Sequence, residues 1–361
     1  MTFSVLALGG DGIGPEVLHS GLEVVNAMAK KENIDISFTH DLLHGASWEK
    51  YGTFCREDTL ETALNSDAVL VGAVGGPKWD NIKVPGGPEM QDGLMRLRKG
   101  MDAFIGLRPV KYYPSLLRRT PFLPEYVQGA DILILREMCG GIMFSAPRGS
   151  SNKKDDRYAY DTACYSEKEV KRFSHAGFYL AQKRKKNLVS ADKANVMESY
   201  KLWREVVESV SDEYPDVLYS SMYADNCAYQ LVKNPRQFDV IIGCNFLGDI
   251  LSDLAANLSG SLGMLPSACL CDVSDAPVAG IYEPVHGSAP DIVGKGIANP
   301  IGMILSVSMM FKYSFGLPDL AKEIEWGVEA ILQKNIFTPD LDGDFSTQEV
   351  TAAVIEELYK Y

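Results

Sequence analysis

The 361-residue sequence holds no Cys-x-x-Cys pair, no histidines at metal-ligand spacing and no apolar run long enough to cross a bilayer. Each absence removes a class of protein. Seven cysteines are scattered, and only Cys269 and Cys271 stand close together. An odd count rules out a complete intramolecular disulfide framework, and free thiols point to a reducing, cytoplasmic setting. The most apolar late stretch, residues 301–310, runs into Lys312, short of the ~20 residues that span a membrane. The opening MTFSVLALGGDG enters a strand pattern with no basic stretch before it, so neither a secretory signal nor a transit peptide is expected. Positive charge is also scarce: 35 Lys and Arg stand against 48 Asp and Glu, a formal net charge of −13. General binders of nucleic acid or anionic membranes need the opposite balance. A ligand bearing carboxylates would require arginines gathered in one place. There is also no Gly-x-Gly-x-x-Gly; GGDGIG has the wrong spacing, which gives no ground for a Rossmann site.

What is present is ordinary globular composition, 46% hydrophobic and 23% charged. Apolar runs alternate with helical patterns. FSVLALGG, DAVLVGAVGG, ADILILREM, NLVSADKANV and FDVIIGCN read as buried strands. GPEVLHSGLEVVNAMAKKE reads as a helix, with Pro15 in its first turn and lysines in its last. This rhythm predicts an α/β fold, whose ligands collect at strand carboxyl ends. The polar segment SAPRGSSNKKDDRYAYD, residues 145–161, predicts an exposed loop or short β arm able to contact a second subunit. No repeat, low-complexity tract or Pro/Ser linker divides the chain, so a second domain would be an insertion with hinged edges.

Several residues carry chemistry. In GCNFLGDILSD, Asp249 and Asp253 lie four apart where an apolar helix begins, so they share one face. Two buried, unpaired carboxylates cost several kcal/mol each, roughly; Mg²⁺ or Mn²⁺ would remove that cost. A charge pair near a helix start, favoured by the dipole, explains the same text. Arg98 and Arg108 lie either side of what reads as an apolar helix end, and Arg136 ends a strand. Arginine suits bidentate carboxylate binding, so the three suggest a di-acid; surface salt bridges are the alternative, and the expected fate of Arg96. Lys193 follows an apolar run and could act as a base, or be held charged by Asp192. Asp225 starts a helix and would complete a three-carboxylate metal set with Asp249 and Asp253. EPVHGSAPDIVGKGIANP supplies glycines for close backbone approach, together with His286, Asp291 and Asn299. An acid there accepts from ribose hydroxyls and repels a 2′-phosphate, which favours NAD over NADP.

With these residues in view, nearly the whole chain resembles the β-decarboxylating dehydrogenase family that includes isocitrate and isopropylmalate dehydrogenases. GDGIGPEV, GAVGGPKW, LRKGMDAFIGLRP, REMCGGI, DKANV, FDVIIGCNFLGDILSDLAANLSGSLGMLPSA, EPVHGSAPDIVGKGIANP and DLDGDFST carry the likeness, in order. The resemblance implies a two-domain, non-Rossmann α/β fold. Its first, discontinuous domain would span residues 1–103 and 260–361, and its second 104–259, with dimerisation helices and an arm at about 145–165. It implies a homodimer with shared sites, in which Lys193 and Asp225 come from the neighbouring subunit. Arg98, Arg108, Arg136 and Asp225 would bind the malate part and Leu94 the isopropyl group. Asp225, Asp249 and Asp253 would hold Mg²⁺ or Mn²⁺. Ile13, Glu283, His286, Gly287, Ser288, Ala289, Asp291, Ile292 and Asn299 would bind NAD. The implied reaction is metal-assisted, NAD-dependent oxidative decarboxylation of 3-isopropylmalate to 4-methyl-2-oxopentanoate in leucine biosynthesis, with Lys193 and Asp225 catalytic.

The chain departs from the family pattern at one catalytic position. The expected text is Gly-Gly-Ile-Tyr-Phe-Gly, whose tyrosine donates a proton; here residues 140–145 read GGIMFS. Met143 has no exchangeable proton. Three readings follow: an active isopropylmalate dehydrogenase with water or another hydroxyl as donor, a paralogue for a different 3-substituted malate, or a binding subunit with little turnover. Smaller departures are Phe246-Leu247 after Asn245, Asn226-Cys227 after Asp225, extra residues around Glu89, and Asp342 in place of a glycine.

Overall fold

The apolar runs become strands of one large sheet. A computed structural model describes residues 2–153 and 156–361; Lys154 and Asp155, within the expected arm, lie outside the described residues. The strands are β1 (Thr2–Gly10), β2 (Asp35–Asp41), β3 (Ala68–Ala73), β4 (Ile105–Lys111), β5 (Asp131–Glu137), β6 (Gly149–Lys153), β7 (Asp156–Tyr160), β8 (Asn187–Asp192), β9 (Leu218–Tyr223), β10 (Val240–Gly243), β11 (Pro266–Leu270) and β12 (Gly280–Pro284). Ten of them form a sheet in the order β2-β1-β3-β12-β11-β4-β5-β10-β8-β9. β6 and β7 make a separate antiparallel ribbon.

The sheet has two parallel halves that run in opposite directions. β2, β1, β3 and β12 are mutually parallel, as are β5, β10, β8 and β9. The reversal happens at β11 and β4, where the pairings β12–β11, β11–β4 and β4–β5 are all antiparallel. One half is built from both ends of the chain and the other from its middle. Helices cover both faces, so β3, β10, β11 and β12 are buried throughout. That is why their sequences are continuously apolar instead of alternating. The edge strands β2 and β9 are largely exposed, and both carry polar residues.

Local signals set the elements that approach the cleft. The helix Gly14–Glu32 has Pro15 in its first turn, Lys30 and Lys31 in its last, and ends on Asn33 in the left-handed region. Asp92 caps Gly93–Gly100 by accepting from Met95 N at 2.9 Å. Asn245–Ala255 starts at Cys244, whose Sγ accepts from Leu247 N at 3.4 Å. Asp249 therefore sits in the second turn and not at the cap.

Candidate active site

The carboxyl ends of β5, β10, β8 and β9 share one edge of the sheet. Arg136 is on β5, the helix bearing Asp249 and Asp253 follows β10, Lys193 follows β8 and Asp225 follows β9. β4 contributes Arg108 from beside β5.

The structure brings Arg108, Arg136, Asp249 and Asp253 together. Arg108 Nη1 donates to Asp249 Oδ1 at 2.9 Å and to Ser252 Oγ at 2.6 Å, and lies 3.7 Å from Asp253 Oδ1. Arg136 Nη1 donates to the same Asp249 oxygen. Both guanidiniums are nearly buried, whereas the two carboxylates are partly open to solvent. Burial and the neighbouring Arg108 charge push the Arg136 guanidinium down to about 10. Burial holds Asp253 above the usual carboxylate range. Asp249 is thus paired, not stranded as its apolar surroundings suggested. Two cations converge on one shared oxygen, with a second carboxylate 3.7 Å from Arg108, and the carboxylates are the groups that face the opening.

Neighbours fix this clamp. Arg136 Nε and Nη2 donate to Asn245 Oδ1 at 3.0 and 2.8 Å, and Nη2 lies 3.3 Å from Met143 Sδ. Asn245 N donates to the Tyr165 hydroxyl at 3.0 Å, which donates to Glu137 Oε2 at 2.9 Å. Glu137 also accepts from Cys139 N at 2.8 Å and Gly140 N at 2.9 Å, fixing the turn that presents Met143. Burial still pushes its carboxyl up to about 7. Sequence reasoning missed Glu137 and Tyr165, although REM and DTACY contain them; nothing local marks two such residues as partners 28 positions apart.

Arg98 pairs with Glu283, both largely buried, so a residue expected on the substrate and one expected on the cofactor hold each other. Leu94 is buried one turn before Arg98 on the same helix. The Nε atoms of Arg98 and Arg108 have no acceptor among the described residues, an unmet need worth about 1–3 kcal/mol each that a bound carboxylate answers. Arg96 pairs with exposed Glu57, but its own side chain is largely buried, so it is not the surface arginine expected.

Lys193 and Asp225 form their own pair, Nζ to Oδ1 at 2.6 Å. The lysine holds the Asp225 carboxyl below its usual range. Asp192 is not the lysine's partner: it is fully buried and accepts from Arg204 at 2.9 and 2.7 Å. Among the described residues no group of three His, Cys, Asp or Glu side chains could hold a metal. Asp225 of this chain therefore does not join Asp249 and Asp253, against the three-carboxylate set read from the residues alone; the family resemblance implied that Asp225 comes from the neighbouring subunit.

Of the cofactor-side residues, Ile13 and Ser288 meet at the turn after β1. Gly12 is left-handed, and a Cβ on it would lie 2.0 Å from Ser288 O; only glycine permits that approach. Ile13 N donates to the same carbonyl at 2.9 Å. Asp11, another residue missed from sequence, is buried and accepts from Gly45, Ala46 and Gly75 N at 3.1, 2.8 and 2.9 Å, with His44 Nδ1 at 2.9 Å. It ties three loops at this strand end. His286 Nδ1 donates to Gly287 O at 2.9 Å, leaving Nε2 without a partner; burial depresses its pKa and favours the neutral ring. Asp291 and Gly287 are exposed and Ile292 half-buried. Ala289 is left-handed. The Asn299 side chain is spent on Asp340 and Ile301 N, both at 3.0 Å.

Residues 4–355 match the family model described as isocitrate/isopropylmalate dehydrogenase. The chain belongs to this family. A protein named 3-isopropylmalate dehydrogenase from Hydrogenovibrio crunogenus is 48% identical, over 99% of this chain and 100% of its own. One of the same name from Pseudomonas savastanoi is 49% identical over 99% of each. Among solved structures, isocitrate dehydrogenase from Methylococcus capsulatus superposes with TM-score 0.87 at 28% identity, over 99% of both chains. A β-decarboxylating dehydrogenase from Thermococcus kodakarensis gives 0.79 at 30%, over 99% of this chain and 96% of the other. The fold is thus that of the isocitrate/isopropylmalate dehydrogenases, and the chain is a β-decarboxylating dehydrogenase.

The family's divalent ion and nicotinamide cofactor fit the residues present. Asp249 and Asp253 offer oxygen-only ligands, as a hard cation prefers. The orphaned His286 Nε2 and the open glycine loop offer an acceptor and backbone access to a nucleotide.

Proposed function

We propose that this protein oxidises 3-isopropylmalate with NAD⁺ and decarboxylates the 2-oxo acid to 4-methyl-2-oxopentanoate, a step of leucine biosynthesis. The observation that carries the reading is the pair of buried guanidiniums, Arg108 and Arg136, sharing Asp249 beside Asp253 in a chain whose full-length relatives bear that activity's name. Arg98, Arg108 and Arg136 bind the two carboxylates, and Leu94 packs the alkyl group. Asp249 and Asp253, with Asp225 from a second copy, hold Mg²⁺ or Mn²⁺. His286, Asp291 and the Gly12–Ser288 contact seat NAD. When bound, the nicotinamide supplies a hydride acceptor and the divalent ion Lewis acidity at the 2-oxygen. Lys193, oriented by Asp225, takes the hydroxyl proton. Met143 donates nothing, so water protonates the carbon that loses CO₂.

The protein works as a cytoplasmic homodimer of two-lobed subunits, residues 1–103 with 260–361 against 104–259. Exposed Tyr229 and Val232 on the helix Ala224–Lys233, and Phe246 and Ile250 on Asn245–Ala255, support this. The exposed β6–β7 ribbon is too small to be stable unpartnered. Among the described residues no helix is long and apolar enough to cross a membrane.

An NADH absorbance assay with Mn²⁺ tests the reaction on 3-isopropylmalate, isocitrate and tartrate, with and without EDTA. NADH should form with 3-isopropylmalate and stop with EDTA. No NADH from 3-isopropylmalate, or an equal rate with isocitrate, overturns the proposal.

A further inference from the structure

Behind the strands that carry the arginines lies a second concavity. Successive strand residues face opposite sides of a sheet. With Arg108 and Arg136 on one side, Pro109, Lys111, Asp131 and Leu133 face the other. There they wall a cavity of about 680 Å³, backed by β11 and by the helices Glu167–Gln182, Ile301–Tyr313 and Pro318–Gln333. That volume suits a small molecule. The cavity uses none of the residues assigned to the reaction.

Its charges are unevenly satisfied. Asp131 is paired with Arg184 at 2.8 Å, Asp275 with Lys183 at 2.9 Å and Glu329 with Lys111. Glu325 accepts from Ser308 Oγ at 3.1 Å. Three of the four acids of the lining are ion-paired, and Glu325 is held by a neutral hydroxyl. Among the described residues Lys312 has no ion pair, and its ammonium only stands over the Tyr313 ring at 4.9 Å. Tyr113, nearly buried in the wall, donates its hydroxyl to no described residue. Burial pushes that phenol up, so it stays a donor. Leu133, Leu270, Leu305 and Met309 supply apolar surface.

We propose that this cavity is a second ligand site, which takes a small monocarboxylate with a compact apolar body. Lys312 supplies the counter-charge, Tyr113 a free donor, and the leucines and methionine the apolar contact. The site lies across the sheet from the reaction cleft, so its ligand does not compete with substrate.

Calorimetric titration of the full-length protein with 4-methylpentanoate tests this. That probe lacks the 2-oxygen and second carboxylate that the front cleft grips. Saturable binding should persist with the front cleft filled by 3-isopropylmalate and Mn²⁺, without NAD⁺. Lys312→Met should weaken it about three- to fivefold, as loss of a partly exposed charge contact does. 4-Methylpentan-1-ol should bind the unaltered protein about as weakly as the acid binds Lys312→Met. Tyr113→Phe should weaken the acid as well, and both variants should keep their NADH-forming rate. Displacement by 3-isopropylmalate, undiminished binding to Lys312→Met, or no binding at millimolar probe overturns the proposal.

Discussion

Met143 is where one side chain most changes the expected chemistry. Its Sδ lies 3.3 Å from Arg136 Nη2, so it borders the carboxylate clamp with a group that has no proton to give. A positioned general acid contributes roughly 10²–10⁴-fold to a proton transfer. Met143→Tyr should therefore raise turnover, by about tenfold if protonation limits it, and accelerate release of the decarboxylated product more than NADH formation. Parallel traces of NADH and product check this; a fall in both would show that the thioether serves some other need. Glu137 makes a different prediction. Three donors favour its charged form, yet burial prevails and sets it at about 7, against about 4.3 for an unfolded glutamate. A carboxyl raised on folding favours the native state below its unfolded value, and that advantage disappears as pH rises through the folded value. Between about pH 4.5 and 7 the group should withdraw on the order of 3 kcal/mol. Melting temperature should then fall less over that window in Glu137→Gln than in the unaltered protein. Equal slopes would mean Glu137 is already ionised.

The helix Gly93–Gly100 places Leu94 and Arg98, and Asp92 fixes its start. Replacing a capping aspartate by alanine costs about 1 kcal/mol. Asp92→Ala should lower the unfolding free energy extrapolated from denaturant titration by that amount and raise KM for substrate more than it lowers kcat, because the helix aims binding groups. A kinetic effect without lost stability would give Asp92 a direct role at the site. Elements of this kind were partly legible in the sequence. β1, β3, β5, β8 and β10 were readable because both faces are covered and their apolar runs are continuous. β2 and β9 were not, since edge strands carry polar residues without clear alternation. β4 passed as the end of a helix because RPV interrupts its pattern, and β11 and β12 lie in text dominated by glycine, proline and serine. The arginine and aspartate sets were visible as charged residues where apolar ones prevail. The Arg98–Glu283 and Asp192–Arg204 pairs were not, because their partners are chosen by the fold: Arg98 and Glu283 are 185 positions apart, and Asp192 prefers a residue one helix later to its own neighbour Lys193.

In a single chain the chemistry is divided. Arg108, Arg136, Asp249 and Asp253 cluster beside β4, β5 and β10, whereas the Lys193–Asp225 pair sits at the far edge, after β8 and β9. Strands are about 4.8 Å apart, so Lys193 and Asp225 leave the sheet roughly 10 and 14 Å from β5, by two and three such steps. The exposed apolar residues Tyr229, Val232, Phe246 and Ile250 lie on the two helices that begin at these half-sites. In the proposed homodimer, a twofold axis through that surface would set the lysine pair of each copy against the arginine cluster of the other, since an isologous contact exchanges the same residues both ways. Hybrid dimers test the arrangement. Lys193→Met and Arg108→Met each disable both sites of their own homodimer. In an equimolar mixture, unfolded and refolded together, about half the dimers are hybrids, and each hybrid has one site with both residues intact if sites are shared. Activity should return to about one quarter of that of the unaltered protein. If each site is instead built within one chain, every hybrid site keeps one defect, and the mixture stays as inactive as its parents.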